Sequence, residues 1–400
     1  MNYLTISEIK QKFKNQKIIF FGAGHLSSKL INFFSQDSLF IVDNASNLWG
    51  TKQSGLDIKN PIELKKINKD EILIIICSTA YSEISEQLNQ LGFAESNNYV
   101  ISPHLNDIKV ISDLEGLQKK ILFTSGSPRN DSPDFGGGLY ELTLNKNEWK
   151  NKKVYSGHSY GLIKKDDQII FNDSNDGIVI LDKKYNVIDR IKLPKGIRAH
   201  GIDYSKKHKI YSIACSELDG IMILDENFKK INFFKISDKI NKIGEPQHHC
   251  NDCLIVDDSL FLSMFSLTGN YKKDVFDGCV LEFDLNNNKK LDPVITGLSM
   301  PHNIKYFEDG IHILNSLKGE LLFNNNSIQG VFPAFTRGLD FDGRYYFIGQ
   351  SRNRNYSKNI GISKNISIDS GVIIFDNNTK VSRFLQLNPK LSEIHSILTL

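Results

Sequence analysis

The chain is poor in everything that would tie it to a membrane, a disulfide scaffold or a nucleic acid. No apolar run reaches the roughly 18 residues that span a bilayer. The opening stretch MNYLTISEIKQKFKNQ is polar and helix-like, without the apolar centre of a signal peptide. The five cysteines, Cys77, Cys215, Cys250, Cys253 and Cys279, are odd in number and sit mostly in strand-like runs, which suits free thiols in the cytoplasm rather than a disulfide framework. Forty-nine Lys and Arg are nearly balanced by 46 Asp and Glu, a net charge of +3, so no global field draws the protein to nucleic acid or anionic lipid. No basic stripe is interleaved with aromatics either, which argues against a nucleic-acid partner.

Four hundred residues exceed one ordinary core and predict two domains. The first reads as alternating strand and helix. KIIFF at 17–21, LFIV at 39–42 and ILIIIC at 72–77 are buried-type strands, and Tyr99–Ile101 closes the set. Apolar strands alternating with helices predict a parallel sheet. After the first strand comes Gly22-Ala-Gly24-His-Leu-Ser27, a G-x-G-x-x-S version of the dinucleotide fingerprint. Glycines in such a turn let the backbone approach a pyrophosphate, and Asp43, 21 residues after Gly22, ends the second strand where an acid can bind ribose hydroxyls. Gly22, Gly24, Ser27 and Asp43 are thus the candidate cofactor residues. The bland alternative is a glycine turn without a ligand.

The wider run carries Gly22/Gly24, Val42-Asp43-Asn44, Trp49-Gly50, Asn60-Pro61 and the turn at Ser78–Ile84. Over about residues 16–102 it resembles the small Rossmann-like domain of bacterial enzymes that build or modify nucleotide-linked sugars for surface polysaccharides. That resemblance implies binding of a nucleotide, a nucleotide sugar or a dinucleotide such as NAD. No second half-sheet or hydride-transfer site follows, which argues against a complete dehydrogenase.

From Ile121 the chain becomes strands and turns with a repeat. A glycine followed by an alternating apolar strand recurs at Gly138, Gly177, Gly220, Gly278, Gly319 and Gly371, at intervals of 39, 43, 58, 41 and 52 residues. Six copies at blade-sized intervals predict a six-bladed propeller. A second repeat precedes each copy: His158-SYGLI, His200-GIDY, His249-CNDCLIV, His302-NIKYF, Arg337-GLDF and His395-SILTL. Each opens an innermost strand. The last has no blade after it, so the C-terminal strand is expected to complete a blade begun near residue 120 and to close the ring.

Six of the ten histidines fall in or beside this repeat, among them the adjacent pair His248 and His249. Propeller geometry brings them to one face, near the central channel. Second-strand ends add Asp173, Glu217, Asn315, Arg352 and Arg129. The connections 125–137, 266–277 and 351–370 are long enough to wall or cover a pocket. Convergent neutral imidazoles suit a divalent metal such as Zn, Mn or Fe. They also suit metal-free acid–base work or ligand binding, and equally plain packing between blades. His200, His249, His302 and His395 are the candidate catalytic and metal-binding residues, with Arg337 and Arg352 as anion clamps. Arg129, Arg198 and Arg354 lie on or near the same face, and arginine forks suit carboxylate and phosphate. Cys250-Asn-Asp-Cys253 is a single CxxC without the second pair that a structural zinc site needs, so Cys253 is expected in the core.

His248–Asp252, Pro301–Asn303 and Arg337–Gly343 are similar to stretches shared by an uncharacterised family of bacterial propeller domains, over about residues 120–400. The resulting expectation is an α/β Rossmann-like N-terminal domain (1–104), a linker (105–119) and an all-β six-bladed propeller (120–400) closed by the C-terminal strand. The expected function is an enzyme of nucleotide-sugar or surface-glycan metabolism. A His-lined, metal-dependent site would act on an anionic sugar-like substrate by elimination, epimerisation or hydrolysis. The competing expectation is a non-catalytic scaffold or sensor that binds a sugar nucleotide and a glycan or protein partner.

Overall fold

The computed structural model describes residues 3–308, 310–324, 327–352 and 365–400. Contacts divide the chain into two compact units, one ending at Gly116 and one beginning at Leu117. No helix among the described residues is long and apolar enough to cross a membrane.

The first unit is a six-stranded sheet. Its strands are β1 (Lys17–Phe21), β2 (Ser38–Val42), β3 (Lys52–Gln53), β4 (Leu56–Lys59), β5 (Ile72–Ile76) and β6 (Tyr99–Ile101), in the order β3-β4-β2-β1-β5-β6. The apolar runs occupy the centre because both their faces are covered: Ile19 and Phe21 join one cluster, Ile18 and Phe20 another. The edge strand β3 pairs antiparallel with β4, so the sheet is mixed.

The expected Rossmann-like α/β domain is corrected here. Its helices, α1 (Ile6–Lys12), α2 (His25–Ile31), α3 (Tyr81–Gln90) and α4 (Asn106–Glu115), are few and only seven or ten residues long. Between β2 and β5 there is no α-helix at all, only short 3₁₀ turns and the β3–β4 hairpin. The cause is local chemistry. Asn60 and Asn68 turn their side chains onto the amides two residues on, which favours a turn over a helix. The stretch read as a linker, 105–119, contains α4 and belongs to the first unit up to Gly116.

The second unit is a six-bladed propeller of four-stranded antiparallel sheets. Five blades are continuous, at 159–191, 199–235, 250–298, 301–331 and 335–386. In the sixth, Ser396–Thr399 pairs with Gln118–Ser125, and Gly138–Asn145 and Glu148–Ser156 complete the sheet. The expected closure by the C-terminal strand is therefore present, and it satisfies an inner edge that would otherwise be open.

Carboxylates and amides stitch the inner strands to one another. Asp203 accepts from the Ile255 amide at 2.7 Å and Asp252 from Ile304 at 3.0 Å. Asp340 accepts from the Thr399 amide and hydroxyl at 2.6 and 2.7 Å. Asn303 accepts from Gly338 at 2.6 Å, and Asn251 donates to the Pro301 carbonyl at 3.1 Å. Each bond joins neighbouring blades, so the ring is held at its axis by side chains as well as by packing.

Candidate functional site at the propeller axis

Two backbone devices aim side chains at the axis. The first is a residue in the left-handed region just before the inner strand: Arg198 (φ 42°), His249 (φ 53°) and Met300 (φ 52°). L-residues seldom adopt this conformation, and where they do it is held by the surroundings. At His249 the holder is Asp219, whose carboxylate accepts the amides of Gln247, His248 and His249 at 2.5, 3.0 and 3.2 Å. The second device is a bulge inside the inner strand. Register shifts follow Ser159, Ala199, Cys250, His302 and Thr336. A bulge re-aims the side chains around it, here Tyr160, His200 and Arg337. A glycine follows each of these three because the neighbouring blade lies against the backbone. A Cβ on Gly201 would stand 2.0 Å from Asp252 Oδ1.

These devices form one cavity of about 340 Å³. Six rings make a closed circuit around it. Tyr160 stacks on His200 with centroids 4.7 Å apart, His200 meets His249 at 5.5 Å, and His249 meets Phe265 at 4.3 Å. Phe265 meets His302 at 5.3 Å, His302 meets His395 at 6.2 Å, and His395 returns to Tyr160 at 4.9 Å. Tyr271, Phe276 and Phe335 extend the apolar wall. The 266–277 connection supplies part of that wall. It is drawn tight by Ser266 Oγ on Asp277 at 2.5 Å, and His248 Nδ1 lies 2.8 Å from the Ser266 carbonyl.

The expected histidines thus converge, with exceptions. His200, His249, His302 and His395 line the cavity; His158 does not. Its Nε2 instead lies 2.8 Å from the Tyr160 hydroxyl, and the bulge places Tyr160 where His158 was expected. His248 is bound at both nitrogens, by the Ser266 carbonyl and the Ser237 hydroxyl, and serves the loop. Arg337 lines the cavity in a close, buried ion pair with Glu393. Arg198 stands at the rim with Glu217 at 3.3 Å, and Lys272 with Glu245 at 3.7 Å. Arg352 and Arg129 are exposed and line no part of it. Asp173 and Asn315 are committed to backbone amides at blade starts, at 2.6 and 2.7 Å. Arg354 and most of the 351–370 connection lie outside the described residues. Cys250 and Cys253 share one core cluster because the bulge between them resets the alternation, and both are free thiols.

Hydrogen bonds decide what each imidazole offers. His302 Nδ1 lies 2.9 Å from the Met300 carbonyl, which can only accept, so that nitrogen carries the proton. Asn251 donates its amide to Pro301, which turns its oxygen toward His200 Nδ1 at 3.2 Å. His200 Nδ1 is therefore the donor, and Nε2, with no partner among the described residues, presents a bare lone pair. His395 is 3% exposed and neither of its nitrogens has a partner among the described residues.

Electrostatics keep the four imidazoles neutral. Burial, then the Arg198 charge, pushes His200 down to about 3. Burial and His200 hold His249 well below the usual histidine range, burial and Arg337 hold His302 there, and burial and His200 hold His395 there. Burial raises the Tyr160 phenol, against the pull of Arg198.

The metal expectation for His200, His249, His302 and His395 does not fit this geometry. A metal needs several nitrogen lone pairs converging on one point at about 2 Å. Met300 and Ser316 take Nδ1 of His302 and Asn251 takes Nδ1 of His200, so each of these rings has only Nε2 left to offer. Among the described residues no group of three or more His, Cys, Asp or Glu side chains is arranged to hold a metal ion.

In the first unit, Asp43 accepts from the Ala23 amide at 2.6 Å and the Ala45 amide at 2.8 Å, so its carboxylate closes the glycine turn itself. Gly22 (φ 110°) is required by close approach: a Cβ there would lie 3.2 Å from the Cys77 carbonyl. Ser27 is fully buried and donates to the Gly24 carbonyl at 2.8 Å.

Sequence reasoning missed Tyr160, Glu393 and the aromatic wall. Tyr160 was legible in part, since Tyr-Gly in blade one parallels His-Gly in blade two. Glu393 was not, because its partner Arg337 lies 56 residues away.

Comparison with known proteins bears on both units. Residues 14–98 match a family model described as C2185-like, N-terminal, and residues 191–400 match one described as a domain of unknown function, DUF4915. No curated protein matches the sequence. Similar solved structures include a protein of unknown function from Bacteroides caccae, at 14% identity and TM-score 0.49, covering 70% of this chain and 99% of that one. A chain of the nidogen/laminin complex is 12% identical at TM-score 0.48, covering 70% and 97%. A luciferin-regenerating enzyme is 10% identical at TM-score 0.43, covering 60% and 78%. The DUF4915 match spans more than half of the sequence and takes in His200, His249, His302, Arg337 and His395, so the chain belongs to the DUF4915 family.

Proposed function

We propose that the axial cavity binds and transforms an anionic, hydroxyl-rich small molecule of the sugar-acid type. The observation that carries this reading is His395, buried and without a partner at either nitrogen among the described residues. A buried polar group left unpaired costs about 1–3 kcal/mol, which two hydroxyls of a polyol ligand repay, one donating to the bare nitrogen and one accepting from the N–H. His200 Nε2 adds a second acceptor. Arg198 and Lys272 at the rim suit a carboxylate, and the Tyr160, Phe265, Tyr271 and Phe335 rings offer faces to the apolar side of a pyranose. Burial is the main cause of the low His200 value and the Arg198 charge the second; an anion beside Arg198 offsets that second cause and so moves the imidazole toward greater basicity. Proton transfer by His200 and Tyr160 then serves elimination, epimerisation or hydrolysis.

Calorimetry and proton NMR with D-galacturonate test this. Binding is expected for the full chain and lost by at least about ten-fold in His395→Ala, with slow chemical change of the bound acid. Equal affinity of the variant and the wild type would sink the reading. One observation favours a second reading, a receptor without catalysis: an imidazole held near 3 is a weak base at neutral pH. Binding without any change in the acid's spectrum selects it.

A further inference from the structure

Arg198 borders two hollows. One is the axial cavity; the other, of about 490 Å³, lies between the turn at 173–177 and the connection at 192–197. Its left-handed backbone, φ 42°, stands the guanidinium on the partition between them. The charges in the second hollow are unevenly committed. Asp173 is spent on the His158, Asn175 and Asp176 amides at 2.6, 2.9 and 3.1 Å. Asp176 is spent on the Tyr155 hydroxyl and on Arg190 at 3.5 Å. Lys192 and Lys195 are exposed, and neither forms an ion pair with a described residue. The hollow therefore faces outward as a cationic surface and shares Arg198 with the ring-lined cavity.

We infer that the ligand is a two-unit acid, one unit seated against the six rings and the second, also anionic, in the hollow at Lys192 and Lys195, with Arg198 beside the link. The volumes agree with this division, since each hollow is of the size that takes one small-molecule unit. The inference rests on the axial cavity taking a sugar acid.

The test is calorimetry of the full chain with D-galacturonate and with α-1,4-linked digalacturonate, in the wild type and in Lys192→Ala/Lys195→Ala. The two-unit acid is expected to bind the wild type about ten-fold more tightly than the single unit, and that ratio is expected to fall to about one in the double variant. A wild-type ratio near one, with the single unit still binding, overturns the second subsite and leaves the axial reading standing. A ratio that survives in the double variant assigns the preference elsewhere and overturns the inference as well. No heat from either acid overturns the axial reading, and the extension with it.

Discussion

Replacing His395 with phenylalanine is expected to make the protein more stable while silencing its cavity. The wild-type ring is 3% exposed and holds two polar nitrogens without a partner among the described residues. Leaving such a group buried and unpaired costs about 1–3 kcal/mol. Phenylalanine keeps the edge-on contacts to Tyr160 at 4.9 Å and His200 at 5.4 Å, and its added volume opens onto the cavity. At pH 8 the variant is therefore expected to gain about 1–3 kcal/mol. Acid enlarges the gain. Burial, then His200 and Arg337, holds the native imidazole well below 6.5, so under mildly acid conditions the unfolded chain binds a proton that the native protein does not. Wild-type stability then falls as pH drops through the unfolded value, by about 1.4 kcal/mol per unit while the native ring stays neutral. The phenylalanine variant lacks this loss. Between pH 6.5 and pH 5 the gap is expected to widen by about 2 kcal/mol. Urea unfolding followed by circular dichroism at pH 8, 6.5 and 5 measures it. A variant less stable than the wild type at pH 8, or a gap that does not change with pH, would refute the reasoning.

Two further outcomes concern the ring itself. Asp340→Ala removes the Oδ2 that accepts both the amide and the hydroxyl of Thr399 and leaves the closing strand's amide unpaired, so a loss of about 3 kcal/mol is expected. Hydrogen exchange should rise first at 396–399 and 118–125, and unchanged protection there would count against the closure role. Asp252, whose carboxyl burial pushes up to about 7, behaves oppositely to the histidines. Its folded value exceeds the unfolded one, so this carboxyl contributes stability that grows as pH falls from 8 toward 5, against the loss from the histidines. Asp252→Asn keeps an acceptor for Ile304 and is expected to remove that contribution, worth about 2.6 kcal/mol between pH 8 and pH 5, in the same urea assay. A slope equal to that of the wild type refutes it.

The propeller was legible because its signals repeat. Gly220-IMILD and Gly371-VIIFD alternate with the pleat, and six copies at blade spacing leave little freedom in topology. The convergence of His200, His249, His302 and His395 followed from that topology. The first unit misled for a related reason: its strands KIIFF and ILIIIC are strong, but the Asn, Gly and Pro positions between β2 and β5 build turns where alternation implied a helix. The glycine turn had the right residues for a pyrophosphate, yet Asp43 occupies the amides of its own loop.

Sequence by itself determined the number of blades, the strand that closes them and the residue types at the axis, because these depend on periodicity and chain order. What those residues can do was decided only in three dimensions. A bulge put Tyr160 in place of His158, Asn251 chose which nitrogen of His200 stays bare, and Glu393 met Arg337 from 56 residues away. Burial and packing made the expected metal set a circuit of neutral rings, in which no three described His, Cys, Asp or Glu side chains are arranged to hold an ion. Hydrogen-bond direction, dielectric and ring orientation are properties of neighbours in space, and the order of residues along the chain does not carry them.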